Sequence, residues 1–125
     1  MKIWTSYFDN LNNLPKDFVP VAICGGIPDW YTGLWTRRVA PKWKFFQEWK
    51  QNHDNNFYIE HFNKEVLDKL VPEIFVYKLE ILTNHAENVV LICYEKPDEF
   101  CHRHLVADWI TQGTGMEVKE WNNGI

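Results

Sequence analysis

A single α/β domain, with a mainly parallel sheet flanked by helices in three layers, is the architecture this sequence predicts. Three observations carry the prediction. Apolar, β-branched runs bounded by turn residues recur along the chain, segments of helical spacing lie between them, and 125 residues suffice for one core but not two. No internal repeat, low-complexity segment or linker divides it, so residues 1–125 are expected to fold as one unit. Hydrophobic residues at 46% and charged residues at 24% are those of an ordinary globule, which excludes disorder.

The elements follow in order. Lys2 to Phe8 carries strand formers in loose alternation and reads as a first strand, followed by the turn-rich Asp9 to Pro15. Phe18 to Cys24 reads as a second, buried strand, in which Pro20 has to sit near the start, and Gly25-Gly26 ends it. Ile27 to Ala40 shows no period and reads as a long loop, a length often tied to function. Pro41 to Gln51 reads as an amphipathic helix, with Pro41 suited to its first turn and Trp43, Phe45, Phe46 and Trp49 at i+3 and i+4 spacing.

Phe57 to Phe62 fits either an extended segment or the approach to a helix, with Asn63 capping a short helix over Lys64 to Leu70. Pro72 to Asn84 is helical, with Ile74, Tyr77 and Ile81 on one stripe and Phe75, Leu79 and Leu82 beside it. Val89 to Cys93 is the central strand, and Leu105, Val106, Trp109 and Ile110 mark the last helix. Gln112 to Gly115 stops it, Met116 to Trp121 forms a short final strand, and Asn122 to Ile125 reads as a frayed tail.

Charge and cysteine usage narrow the function classes. A formal net charge of −4 argues against non-specific nucleic-acid binding, which needs a basic surface. A single nucleotide or small anion is still compatible with it. The opening residues Met1 to Thr5 lack the apolar core of a secretory signal, and no apolar run is long enough to span a bilayer. Three cysteines without framework spacing point to a reducing cytoplasm, with the thiols free or bound to metal.

The chemistry concentrates where the central strand meets the last helix. Cys93, Glu95, Cys101, His102, Arg103 and His104 fall within a dozen residues, at the kind of joint where α/β proteins keep their sites. Cys101 falls at a helix N-terminus, where unpaired N–H groups lower a thiol's pKa or receive an anion. Arg103 offers a bidentate anion contact. His102 and His104 stand roughly 200° apart on a helix, so one of them faces the site. Cys24 and Gly25, at the end of a neighbouring strand, share the same crevice. Tyr58, Glu60 and His61 add a phenol, a carboxylate and an imidazole, while Trp30 and Tyr31 with Arg37 and Arg38 suit an aromatic and basic lid.

From these residues the expected protein binds a phosphorylated or nucleotide-type small molecule. Glu60 or Glu95 supplies the carboxylate, Cys101 the thiol, His102 proton transfer, Arg103 the anion contact, and Trp30 or Tyr31 a stacking face. A zinc module is the rival: Cys93, Cys101 and a histidine, joined by Cys24 or the other histidine. The spacing of seven residues from Cys93 to Cys101 lacks the short clip of common zinc modules. A partner-binding protein using exposed tryptophans is the third alternative.

At Leu91 to Trp109, L-I-C-Y-E-K-P-D-E-F-C-H-R-H-L-V-A-D-W, the chain resembles the family catalogued as domain of unknown function 488, as a short bacterial or phage-type member. The resemblance rests on the C-x-E…C-H-R signature at Cys93, Glu95, Cys101, His102 and Arg103, with Gly115 to Val118 similar to the family's last strand. It implies an α/β fold and these site residues, but no reaction. Larger members carry an arginine after an early strand where this chain has Ala22-Ile23-Cys24-Gly25-Gly26, so Arg37 or Arg38 would have to replace it.

Overall fold

The structure, a computed structural model, describes residues 1–123, so Gly124 and Ile125 of the expected frayed tail lie outside it. Five parallel strands run in the order β3-β2-β4-β1-β5, where β1 is Lys2–Tyr7, β2 Phe18–Ala22, β3 Leu34–Trp35, β4 Asn88–Cys93 and β5 Val118–Glu120. The α/β class holds. Among the described residues, four α-helices, α1 (Trp43–Asn52), α2 (Asn55–Glu65), α3 (Pro72–Leu82) and α4 (His102–Thr114), account for the rest of the regular structure together with two 3₁₀ turns, Phe8–Asn13 and Leu67–Lys69.

β4 sits at the centre because its sequence allows it nowhere else. From Val89 to Cys93 every side chain is buried, the pattern of a strand covered on both faces. Its register runs Lys2↔Asn88 to Tyr7↔Cys93 on one side and Phe18↔Asn88 to Ala22↔Ile92 on the other. Alternation then sorts the core. Ile3, Val21, Ile23, Val89 and Leu91 face one way and meet Phe45, Tyr58, Phe62, Leu79, Val106 and Ile110 of the four helices. Ala22, Val90 and Ile92 face the other way, where the third layer is thin: Phe8 of the 3₁₀ turn and Tyr31 of the loop before β3 cover them.

Pro20 lies mid-strand rather than near the start of β2, and geometry explains why it is tolerated. Its carbonyl faces the hydroxyl of Tyr31, on the β3 side, and β3 pairs only with Val21 and Ala22. The missing N–H therefore falls where, among the described residues, there is no partner strand. The segment read as loop over 27–40 contains β3, a strand two residues long held by Tyr31 Oη donating to Leu34 O at 2.6 Å.

Three helix boundaries depart from the sequence reading. α1 begins at Trp43 with Lys42 at its N-cap, leaving Pro41 outside. Phe57 to Phe62 is helical, not extended, because Asp54 accepts from the backbone N–H groups of Asn56 and Phe57 at 3.0 and 3.3 Å and starts α2 before it. Asn63 therefore lies inside α2 rather than capping a helix, and Lys64 to Leu70 is the end of α2 plus a 3₁₀ turn. On α3 the buried line is Phe75 and Leu79, while Ile74, Tyr77 and Ile81 are exposed.

Candidate active site

β4 ends at Cys93, and the chain then leaves the sheet for seven residues before Cys101 opens α4 as its N-cap. Two contacts fix this excursion against β2. Tyr94 Oη donates to Gly26 O at 3.0 Å, and His102 Nε2 lies 2.8 Å from Ile23 O. A carbonyl oxygen only accepts, so Nε2 carries the proton, and the tautomer this selects has its lone pair on Nδ1. That Nδ1 stands 3.5 Å from Cys93 Sγ and 4.0 Å from Cys101 Sγ. Phe62 packs edge-on against the ring and holds its plane. His104, on the other side of the helix as its spacing requires, takes no part; burial and the charge of Arg103 hold its pKa down.

The cluster forms the wall of a cavity of about 510 Å³. Cys24, Gly25 and Gly26 line it from the end of β2, and Cys93, Tyr94 and Glu95 from the end of β4. Trp43, Phe46 and Trp49 line it from α1, and Tyr58 from α2. Phe100, Cys101 and His102 complete the wall, and Arg37 and Lys42 add positive charge to it. Neither Gly25 nor Gly26 adopts positive φ, and a Cβ at either would meet nothing within 4 Å. They border open space rather than form a strained turn.

Three free thiols converge here, all buried. The neighbouring Cys93 thiol pulls the Cys24 thiol below its ordinary pKa. For Cys93, the neighbouring Cys101 thiol favours the thiolate, but Cys24 and burial outweigh it, and the thiol stays well up. Cys101 was expected to be acidified at the helix N-terminus. Burial instead pushes it well above the ordinary thiol range, because the desolvation of a side chain only 4% exposed outweighs the helix end. Cys93 Sγ also points to Glu95 Oε2 at 3.6 Å.

Tyr58 is 3% exposed, yet its hydroxyl bonds to no protein group among the described residues and is not sealed from solvent. Burial, with the thiols and Glu95 nearby, raises its pKa well beyond the phenol range and keeps it protonated.

Of the residues picked from the sequence, Cys24, Gly25, Tyr58, Cys93, Glu95, Cys101 and His102 come together. The others do not. Glu60 projects from the exposed side of α2, and His61 pairs with Glu65 one helical turn on at 2.6 Å. Their roles rested on an extended backbone, which the helix replaces. Tyr31 is occupied with Leu34 and Pro20, and Trp30 stands edge-on to Phe8 away from the cavity. Arg103 is fully buried against Glu120 and does not line the cavity. Arg37 does, and Arg38 does not. The aromatic wall of α1 escaped the sequence reading, since an amphipathic pattern looks the same whether it faces a core or a cavity.

A single parallel α/β domain carrying a buried thiol–imidazole cluster at the carboxyl end of its central strand is thus defined. Residues 13–114 match the family model described as the active DUF488-N3 subclade, and the chain belongs to that family. No curated protein and no solved structure matches it.

Proposed function

We propose that the chain is an enzyme of the reducing cytoplasm that binds a small, planar, anionic molecule of the nucleotide type and reacts with it through Cys93. The observation that carries this reading is the orientation of His102. Its Nε2–H is committed to Ile23 O, so the basic lone pair on Nδ1 is aimed at Cys93 Sγ 3.5 Å away. A thiol whose pKa is held well up supplies little standing thiolate and needs such a base. In the reaction Sγ gives its proton to Nδ1 and attacks an electrophilic carbon. The departing group leaves with the bonding pair and takes the proton from the imidazolium, and water then releases the covalent adduct. In this reading Glu95, 3.6 Å from the thiol, activates that water.

The cavity suits the proposed ligand. Its volume falls in the usual range for small-molecule sites. Trp43, 73% exposed at its edge, offers a stacking face, and Arg37 and Lys42 are the cations for an anionic group. Arg103, given that role from sequence, is replaced by these two.

The test is the rate at which iodoacetamide alkylates Cys93, read by peptide mass spectrometry on metal-free protein with and without nucleotides and sugar phosphates. His102→Asn should slow labelling of Cys93 at least tenfold, and a bound nucleotide should protect it in wild type but less in Trp43→Ala. Equal labelling rates in wild type and His102→Asn would remove the general-base role. Absence of protection by every nucleotide and sugar phosphate would remove the ligand class.

A further inference from the structure

We infer that Cys93, Cys101 and His102 also form a binding site for one thiophilic divalent cation of the zinc type. The inference stands on the geometry of the three ligand atoms and holds whether or not Cys93 is a nucleophile.

The three atoms lie within 4.8 Å of one another. With Zn–S near 2.3 Å and Zn–N near 2.0–2.1 Å, a tetrahedral ion requires S···N edges of roughly 3.6 Å and an S···S edge of roughly 3.8 Å. The two S···N edges already measure 3.5 and 4.0 Å. The S···S edge lies within 4.8 Å, and rotation of the cysteine side chains is the adjustment that brings it to the required length.

The imidazole is prepared in the manner of a metal ligand. Nδ1 presents its lone pair to both sulfurs while Nε2–H is anchored on the carbonyl of Ile23, the outer-shell bond that fixes tautomer and ring plane around metals. All three residues are buried, at 3%, 4% and 4% exposure, so a cation entering the site has little water to displace from its ligands. Two thiolates and one divalent cation sum to zero charge, which suits a site where separate thiolates would be costly. Binding therefore releases the two thiol protons.

Soft ligands of this kind select zinc, or copper(I), over magnesium and calcium. Three protein ligands leave the fourth position to an exchangeable group, and since all three line the cavity that group can enter from it. Cys24 lines the same cavity but falls outside the mutually close set, so it is not one of the ligands. A seated cation occupies the Cys93 sulfur and the His102 lone pair together. The metal-loaded centre is consequently silent as a nucleophile.

The experiment strips the full chain with chelator under reducing conditions and then titrates it with zinc or cobalt(II) against a chromophoric chelator. Wild type should take up one equivalent, and cobalt should give the sulfur-to-metal charge-transfer and visible bands of tetrahedral thiolate coordination. The double variant Cys101→Ser/His102→Asn should bind at least 100-fold more weakly and lose the bands, with its fold checked by circular dichroism. Cys24→Ser should keep one equivalent within about tenfold of wild-type affinity. Zinc should also suppress alkylation of Cys93, whereas the proposed reaction is read on metal-free protein, so the two ideas fail separately. No uptake by folded wild type, or equal uptake by the folded double variant, overturns the site. Should that variant not fold, cobalt bands in wild type that persist in Cys101→Ser alone would do the same.

Discussion

Arg103 and Glu120 hold each other through paired hydrogen bonds, Nε to Oε1 at 3.1 Å and Nη2 to Oε2 at 3.0 Å, with the guanidinium wholly buried and the carboxylate partly so. Burial works against the arginine's charge, but Glu120 outweighs it and holds its pKa above the ordinary value. The remaining nitrogen, Nη1, donates to Glu95 O at 2.6 Å, and Thr5 Oγ1 donates to Glu120 Oε1 at 2.6 Å. One arginine thereby ties α4 to β5, to β1 and to the loop leaving β4. It positions the backbone of the cluster without touching the cavity.

Arg103→Met should therefore cost stability rather than ligand contact. It leaves a part-buried carboxylate without its cation, a change worth at most about 3–5 kcal/mol, while Arg103→Met/Glu120→Leu should recover most of that loss. Urea unfolding of the two variants and of wild type checks this. If the double variant is as unstable as the single one, the loss comes from the severed tether to Glu95 O rather than from the uncompensated carboxylate.

Tyr58→Phe makes the opposite kind of prediction. The hydroxyl bonds no protein group among the described residues, so its removal should change stability by less than about 0.5 kcal/mol. In the proposed site it is a donor kept protonated beside Cys93 and Glu95, and a lost hydrogen bond to ligand should weaken binding by about 1 kcal/mol, roughly fivefold. Isothermal titration with whichever nucleotide protects Cys93 reads the difference. Unchanged affinity would mean the phenol only packs against Phe45 and Phe100.

These two residues also show where sequence stopped being legible. Cys93, Cys101 and His102 could be read because strand end, helix start and reactive groups are neighbours in the chain, and the strand's apolar run fixed where they meet. Arg103 could not, because the partner that removes it from the site lies 17 residues away on another strand. Phe57 to Phe62 suits a strand or a helix, and the Asp54 cap that decides between them stands in what reads as a turn. β3 has only two residues, so its pairing belongs to the tertiary structure and leaves no periodic trace. Pro20 in mid-strand needed knowledge of how far that neighbour extends.

Gly113 carries the last prediction. It lies within α4, where alanine would ordinarily gain about 1 kcal/mol in helix propensity. A Cβ there, however, would overlap Cγ and Cβ of Pro72, the first residue of α3. A proline ring cannot swing aside as a long side chain does, so α3 and α4 would have to separate. Overpacking of that kind costs about 1–3 kcal/mol, enough to cancel the propensity gain and leave a net loss of about 1 kcal/mol. The urea midpoint of Gly113→Ala should fall with an unchanged slope. A rise would mean that α3 yields at its N-terminus, and the added methyl group would then stabilise the helix that presents His102 to Cys93.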